Sequence, residues 1–264
     1  MHRSRITIAS LLAFLVTAAS PVYSQEDLAK ASQNPISDLI SLPFQNNTNF
    51  NFGPADETQN ILNIQPVWPL SLGENWNLVT RTIVPVTSQP PLTAEQDRTT
   101  GLGDTTFSAF MSPKKAEKII WGAGPVLLLP TATDDALGSD KWGVGPSTVL
   151  LTMRGHWVIG SLFSNLWSVG GSGDNDVNVF TWQYFVNYNM PGGWYLTFAP
   201  IITANWEADS DNRWTVPFGG GVGKIFRIGN QPLNGQISAY ANAVKPSFGP
   251  DWQLRLQLQF LFPK

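Results

Sequence analysis

The stretch Trp252-Gln253-Leu254-Arg255-Leu256-Gln257-Leu258-Gln259-Phe260-Leu261-Phe262 decides the fold, because apolar and polar residues alternate along it. Successive side chains of a β-strand point to opposite faces of the sheet, so the pattern predicts a strand with one apolar and one polar face. A soluble sandwich would bury the apolar face, whereas a membrane barrel would turn it toward lipid. This strand alone favours the barrel and leaves the sandwich open.

Similar segments with a period of two residues recur along the chain, separated by turn residues. An even number of them is typical of single-chain outer-membrane barrels. We count about twelve, near residues 44–52, 60–70, 76–86, 102–111, 119–129, 142–152, 157–168, 177–188, 194–206, 214–226, 234–243 and 252–262. The sequence therefore predicts an all-β fold, a transmembrane, antiparallel, up-and-down β-barrel of about twelve strands.

The connections between these segments alternate between two kinds. The short kind comprises residues 71–75, 112–118, 153–156, 189–193 and 228–232. The longer kind, rich in Asp, Gly and Ser, comprises residues 86–100, 130–141, 169–176, 207–213 and 244–251. Acidic residues concentrate in the longer kind, whereas Lys114, Lys115, Lys118 and Arg154 lie in the short kind. This division is typical of short periplasmic turns and longer extracellular loops.

Most tryptophans lie near predicted strand ends. At a membrane interface an indole buries its ring and keeps its N–H in contact with water. Core tryptophans of a soluble β protein would instead scatter along the strands. We predict two interfacial girdles made of Trp76, Trp121, Trp142, Trp157, Trp167, Trp194, Trp206, Trp214 and Trp252.

The composition excludes several classes of protein. Charged residues make up 13% of the 264 residues, the formal net charge is -3, and cysteine is absent. There is thus no basic surface of the kind that binds a nucleic-acid backbone, and a disulfide framework and a thiolate metal site are both excluded. We predict no nucleic-acid partner, no metal and no cofactor.

The first 24 residues predict an export signal. A positive start with Arg3 and Arg5 precedes an apolar run from Ile6 to Ala19, which is too short to span a bilayer. We predict cleavage after Ser24, a periplasmic or plug segment over residues 25–43, and the outer-membrane barrel over residues 44–264. Within the segment, Asn34 would cap a short helix beginning at Pro35.

Three stretches resemble a known family: Asn34–Gln45, Gly101–Asp104, and Val216-Pro217-Phe218-Gly219-Gly220-Gly221-Val222-Gly223-Lys224-Ile225-Phe226, which is followed by Gln231-Pro232. They are similar to bacterial outer-membrane proteins grouped with the MetA pathway of phenol degradation, some of which carry the misleading label neuromedin U. The resemblance covers the mature chain and implies an outer-membrane barrel with a transport role, but no binding residues. Phe262 is followed by Pro263 and Lys264, a departure that would weaken recognition by the barrel-insertion machinery.

The alternation also predicts which residues line the lumen. If the apolar faces point outward, the lumen-lining and constriction candidates are Arg81, Asp104, Tyr240, Gln253, Arg255, Gln257 and Gln259. A pore for acidic sugars or phosphates would carry a ladder of Arg and Lys, and two arginines do not make one. Arg81 and Arg255 have two readings: a structural pairing with Asp104 that braces the wall, or a constriction.

These observations predict a channel in outer-membrane lipid that passes small, neutral or weakly polar solutes, with aromatic or hydrophobic ones included. The alternative is a closed barrel with a structural or surface-contact role. A hydrolase is the least favoured reading, because a nucleophilic Ser needs a neighbouring base. His156, the one histidine beyond the signal, falls in a predicted short turn with no inward Ser on the same strand. We predict no catalytic residues.

Overall fold

A computed structural model describes residues 24–93, 95–115 and 118–263. The export-signal prediction falls on residues 1–23 and therefore lies outside the described residues, apart from Ser24. Over the described part of the chain, no helix combines the length and apolar character that a membrane crossing requires.

The described residues form one helix and fifteen strand segments, joined by three short 3₁₀ turns. The helix α1 spans Gln25–Gln33, and the 3₁₀ turns span Asp135–Leu137, Pro191–Gly193 and Ser210–Asn212. The strands are β1 Ile40–Phe52, β2 Glu57–Ile64, β3 Val67–Leu72, β4 Trp76–Gln89, β5 Thr99–Leu102, β6 Thr105–Pro113, β7 Ile120–Leu129, β8 Lys141–Arg154, β9 Trp157–Gly171, β10 Asn178–Asn189, β11 Trp194–Phe198, β12 Ile201–Asn205, β13 Trp214–Ile228, β14 Gln231–Val244 and β15 Trp252–Phe262.

Antiparallel pairing runs around the whole sheet and closes it. The first strand pairs with the last, from Ile40 opposite Phe262 to Phe50 opposite Trp252. Strands β9 and β10 pair in turn, so no edge is left open. A closed barrel satisfies every backbone group between strands, as a membrane requires. The predicted all-β, twelve-stranded antiparallel barrel is confirmed.

Three of the twelve crossings are interrupted, and here the predicted continuous segments 60–70, 102–111 and 194–206 are wrong in detail. The interruptions lie between β2 and β3, between β5 and β6, and between β11 and β12. Pro66 and Pro200 stand in the first and third gaps. Proline has no N–H to donate to the sheet, so the ladder breaks there. In the second gap Asp104 bonds to a loop instead.

The two faces of the wall differ as the alternation predicts. In β15 the side chains of Leu256 and Leu258 are 45% and 40% exposed on the outside, whereas Arg255 and Gln259 are each 5% exposed inside. An exposed apolar outer face is what a lipid environment favours. The short turns lie at one end, which we call the periplasmic end, and the long loops lie at the other.

The N-terminal segment corrects one prediction. The helix ends at Gln33, and Asn34, predicted to start a helix, is its C-cap. The Asn34 side chain accepts a hydrogen bond from the Ile36 N–H at 3.0 Å, which makes a turn after the helix. Strand β1 begins at Ile40, earlier than the predicted 44. Propensity favoured a helix over 35–40, but pairing with β15 fixes Ile40 in the sheet.

Candidate functional site

Arg255 lies on the inward face of β15 and reaches across the lumen. Its guanidinium donates to the Asn47 side chain at 3.0 Å, to the Gln253 side chain at 3.0 Å, and to the Ala199 carbonyl at 3.3 Å. The Ala199 carbonyl is free to accept because it lies in the gap between β11 and β12. The Tyr240 ring packs 4.8 Å below the guanidinium carbon.

Arg81 lies on the inward face of β4 and donates to the Gln65 side chain, which stands in the gap between β2 and β3. Ala199, whose carbonyl accepts a hydrogen bond from Arg255, lines the same cavity inside the barrel as Arg81. The structure therefore brings together Arg81, Arg255 and Tyr240, which the sequence placed on three distant strands.

Asp104 does not join them, and its predicted pairing with the arginines is wrong. Its carboxylate accepts hydrogen bonds from the Ser139 N–H at 2.6 Å and the Ser139 hydroxyl at 2.8 Å. Asp104 thereby anchors the long loop before β8. Its inward parity was correct, but the break between β5 and β6 lets the side chain turn to the loop.

Two cavities lie inside the barrel. The smaller, about 150 Å³, lies on the periplasmic side and contacts the N-terminal segment. Polar side chains dominate its wall, including Gln45, Gln65, Gln257 and Gln259. Gln259 also accepts a hydrogen bond from the Asn234 amide at 3.1 Å.

The larger cavity, about 330 Å³, lies toward the long loops and reaches the loop residue Val177. Its wall mixes hydroxyls such as Ser108 with many aliphatic groups. Arg81 and Gln183 line both cavities, so they mark the boundary between them. Of the described residues lining either cavity, Arg81 alone is charged.

The N-terminal segment closes the periplasmic end of the lumen. Ile36 is 4% exposed and packs into an apolar cluster of inward-facing residues: Val79, Phe110, Val149, Leu151, Val158, Leu162 and Phe185. A Cβ on Gly122 would stand 3.1 Å from the Ile36 side chain, so this glycine leaves room for it. Sequence reasoning left open whether the segment enters the barrel, and the structure places it inside.

Helix α1 is held by a second set of contacts. Leu28 and Ala29 are buried with Ile225 and Leu261 on the inner wall. Gln33 and Asn189 exchange side-chain hydrogen bonds at 2.9 and 3.2 Å. Ile36 therefore closes the part of the lumen next to β4, β6, β8, β9 and β10, and α1 closes the part next to β10, β13 and β15.

His156 lies in the turn between β8 and β9 and faces this helix. Its Nδ1 is 3.5 Å from the Glu26 carboxylate, which also bonds Lys30 at 2.9 Å. The turn position matches the sequence prediction. The contact to the N-terminal segment was not foreseen, because nothing local couples residues 26 and 156.

We expect this link to weaken in acid. The hydrogen bond from Lys30 lowers the pKa of Glu26 below its ordinary 4.5, with a smaller effect from His156. Because the folded pKa is lowered, the stabilisation is present above pH 4.5 and is lost as the pH falls through the folded value. Conductance recorded at neutral pH and well below pH 4.5 should show a small rise in acid, small because the groups are exposed. Glu26→Gln should abolish the pH step; a step of equal size in Glu26→Gln would contradict the assignment.

The tryptophans of the predicted girdles lie near the two rims. On the periplasmic side Trp76 and Trp121 meet edge to face at 6.0 Å, and on the other side Trp206 and Trp214 do so at 5.6 Å. The Trp206 indole donates to the Asn165 side chain at 3.0 Å. Eight of the nine, Trp76, Trp121, Trp142, Trp157, Trp167, Trp194, Trp206 and Trp252, are at least 38% exposed. Their role at a lipid interface stays a prediction.

Several lumen residues were missed by sequence reasoning. Tyr195 is 1% exposed, and its hydroxyl donates to Asn234 at 2.8 Å. It fits because Gly223 lies beside it, where a Cβ would stand 2.1 Å from the ring. In the glycine-rich block, Gly223 therefore leaves the space that the ring of Tyr195 occupies on the neighbouring strand β11. Ile36 and Gln183 were missed because they act through contacts distant in sequence.

Over the described residues, no group of three or more His, Asp or Glu side chains is arranged to hold a metal ion. The acidic residues lie mostly in separate loops, where Lys245 pairs with Asp251 at 2.8 Å and Arg98 with Glu57 at 2.6 Å.

Comparison with solved structures identifies the architecture. The COG4313 outer membrane channel from Pseudomonas putida F1 aligns over 85% of this chain and 94% of its own, at 19% identity and a TM-score of 0.64. The calcium-bound phospholipase dimer of Salmonella typhi aligns over 89% and 96%, at 14% identity and a TM-score of 0.43. A Rh. blastica porin aligns over 85% and 99%, at 10% identity and a TM-score of 0.32.

No protein-family model and no curated protein matches the chain. The resemblance to the group associated with phenol degradation therefore stays a prediction. Because the identity is only 19%, the similarity to the Pseudomonas putida structure supports the assignment of the fold alone. The chain has the fold of an outer-membrane β-barrel.

Proposed function

We propose that the protein is an outer-membrane channel for small, neutral or weakly polar solutes. The observation that carries this proposal is the pair of cavities, about 330 and 150 Å³, that meet at Arg81 and Gln183. Together they extend from the long-loop end to the N-terminal segment. A structural barrel without transport would have no need of such space. The similar structure from Pseudomonas putida is described as a channel, which supports the proposal.

The lining supports the class of solute. One charged side chain lines the cavities among the described residues, and the other polar groups are amides and hydroxyls. Amides and hydroxyls exchange hydrogen bonds with neutral solutes without requiring a counter-charge. The aliphatic part of the larger cavity accommodates an apolar group on the solute.

A liposome-swelling assay tests the proposal. Refolded protein is inserted into liposomes, and swelling is followed in glycerol, arabinose and the trisaccharide raffinose. We expect swelling in glycerol and arabinose and none in raffinose, because the cavities are small, about 330 and 150 Å³, and raffinose is the largest of the three solutes. Liposomes without protein are the control, and a heat-shifted gel band shows that the barrel has closed.

The closed-barrel alternative has one observation in its favour, the burial of Ile36 at the periplasmic end. The same assay separates the two functions. If neither the full mature chain nor a chain that begins at Ile40 passes glycerol, the channel is excluded and the structural role stands.

A further inference from the structure

Arg81 and Arg255 place two positive charges inside the lumen, and they lie near one another because Arg81 and the Ala199 carbonyl that Arg255 binds line the same cavity. The ion pairs among the described residues join other groups, and neither arginine takes part in one. Their acceptors are neutral: the side chains of Gln65, Asn47 and Gln253, and one backbone carbonyl. A buried charge is costly unless an opposite charge compensates it. Two like charges side by side increase that cost.

Tyr240 supplies an independent observation beside them. Its side chain is 2% exposed, and its ring lies 4.8 Å from the Arg255 guanidinium carbon. Its hydroxyl is buried and has no hydrogen-bond partner among the described residues. Buried hydroxyls are nearly always hydrogen-bonded, so this one indicates an acceptor supplied from outside the chain. The two arginines and the phenol are all donors.

The larger cavity begins at Arg81 and is mainly apolar. Arg81 stands at its edge, and Ile83, Phe110, Val126 and Leu162 are among its wall residues. A volume of about 330 Å³ accommodates a short hydrocarbon chain or one ring. The cavity therefore fits a solute that has a charged group at one end, next to Arg81, and an apolar body along the rest of its length.

We propose that the lumen binds one small amphipathic monocarboxylate, with its carboxylate against Arg81 and Arg255 and its apolar body in the larger cavity. The planar guanidinium fork matches a carboxylate in geometry as well as in charge. The proposal rests on the proposed channel function and goes beyond its neutral solutes, because it adds one anionic class that this site would hold. Two arginines form no ladder along the lumen, so the site selects a single anionic head rather than conducting anions in general.

Asp104 does not compete for this site. Its carboxylate is held by Ser139 and by the Ala132 N–H at 3.3 Å, away from the arginines. The acidic extracellular loops do not favour bare anions at the mouth. Binding therefore requires both the carboxylate and the apolar body.

Titration calorimetry on the refolded barrel in detergent tests the proposal. The probes are hexanoate and hexanamide, which share shape and chain length but differ in charge. We expect hexanoate to bind and hexanamide to bind at least about 10-fold more weakly, because charge-assisted hydrogen bonds are about twice as strong as neutral ones. Arg81→Gln should weaken hexanoate binding about 10-fold or more and leave hexanamide binding unchanged.

Two further variants make the test specific. Arg227→Gln removes the same charge from an exposed position at the periplasmic end and should bind hexanoate like the wild type. Arg81→Lys keeps the charge but loses the fork, so its affinity should lie between wild type and Arg81→Gln. A heat-shifted band for each variant excludes a failure to fold.

Three results would overturn the proposal: equal binding of the two probes, no hexanoate binding by the folded wild-type barrel up to millimolar concentration, or unchanged hexanoate binding in Arg81→Gln. The sugar assay keeps the two proposals apart. Swelling in arabinose without hexanoate binding overturns this inference alone, whereas the absence of both overturns the channel as well.

Discussion

Deleting residues 25–39 is expected to raise the single-channel conductance several-fold. This segment fills the periplasmic end of the lumen through Ile36 and through the contacts of Leu28 and Ala29. The barrel itself begins at Ile40, which pairs with Phe262, so the deletion leaves the closing strand pair intact. Conductance of the two refolded chains in planar bilayers gives the measurement.

A point substitution provides a finer test of the same closure. Ile36→Asp would place a carboxylate in the apolar cluster, which costs several kcal/mol in the docked position and should release the segment. Ile36→Val keeps an apolar side chain and is expected to conduct like the wild type. If Ile36→Asp also conducts like the wild type, the segment does not limit conductance, and the constriction lies higher, at Arg81.

The second large effect concerns the outward face of the wall. Leu256 and Gln257 are neighbours in β15; Leu256 is 45% exposed on the outside, and Gln257 lines the inner cavity. Leu256→Arg should lower the free energy of unfolding in a bilayer by about 2–4 kcal/mol, because it puts a charge near the membrane midplane. Gln257→Arg adds the same side chain to the polar lumen, where amide groups can accept its hydrogen bonds, and should lower the stability less than Leu256→Arg does, although Arg81 already carries a positive charge in that cavity.

Urea unfolding of the two variants in lipid vesicles, followed by tryptophan fluorescence, gives this comparison. The substitutions are one residue apart and introduce the same side chain, so they place one charge on the two opposite faces of the same strand. A larger loss for Gln257→Arg than for Leu256→Arg would mean that the polar face is the one shielded from water, and the assignment of the apolar face to lipid would fail.

The alternation of residues was sufficient to predict the wall. In β15 the inward position of Arg255 and Gln259 followed from a period of two residues, since parity is a local property of a strand. The order of neighbouring strands also followed, because short connections join antiparallel neighbours. The three interruptions were missed, at Pro66, at Pro200 and beside Asp104, although proline itself is a visible signal of a broken ladder.

The partners of the lumen residues did not follow from the sequence. Parity placed Asp104 and Arg81 on the same inner surface, and opposite charge made their pairing the natural guess. The height of each residue along the barrel, and the break beside Asp104, turned its carboxylate to Ser139 instead. The alternation along a strand tells whether a side chain points into the barrel or out of it. Whether two inward side chains meet also depends on their heights along the barrel axis and their positions around its circumference.

The strands, their inward and outward faces and the two kinds of connection can be predicted from the sequence, because each depends on residues adjacent in the chain. Three arrangements cannot: Ile36 closes the lumen, Arg81 and Arg255 lie near one another without a carboxylate, and Gly223 makes room for Tyr195. Closure of the sheet sets these contacts. It fixes the tilt and stagger of all strands at once, and no single segment carries that information.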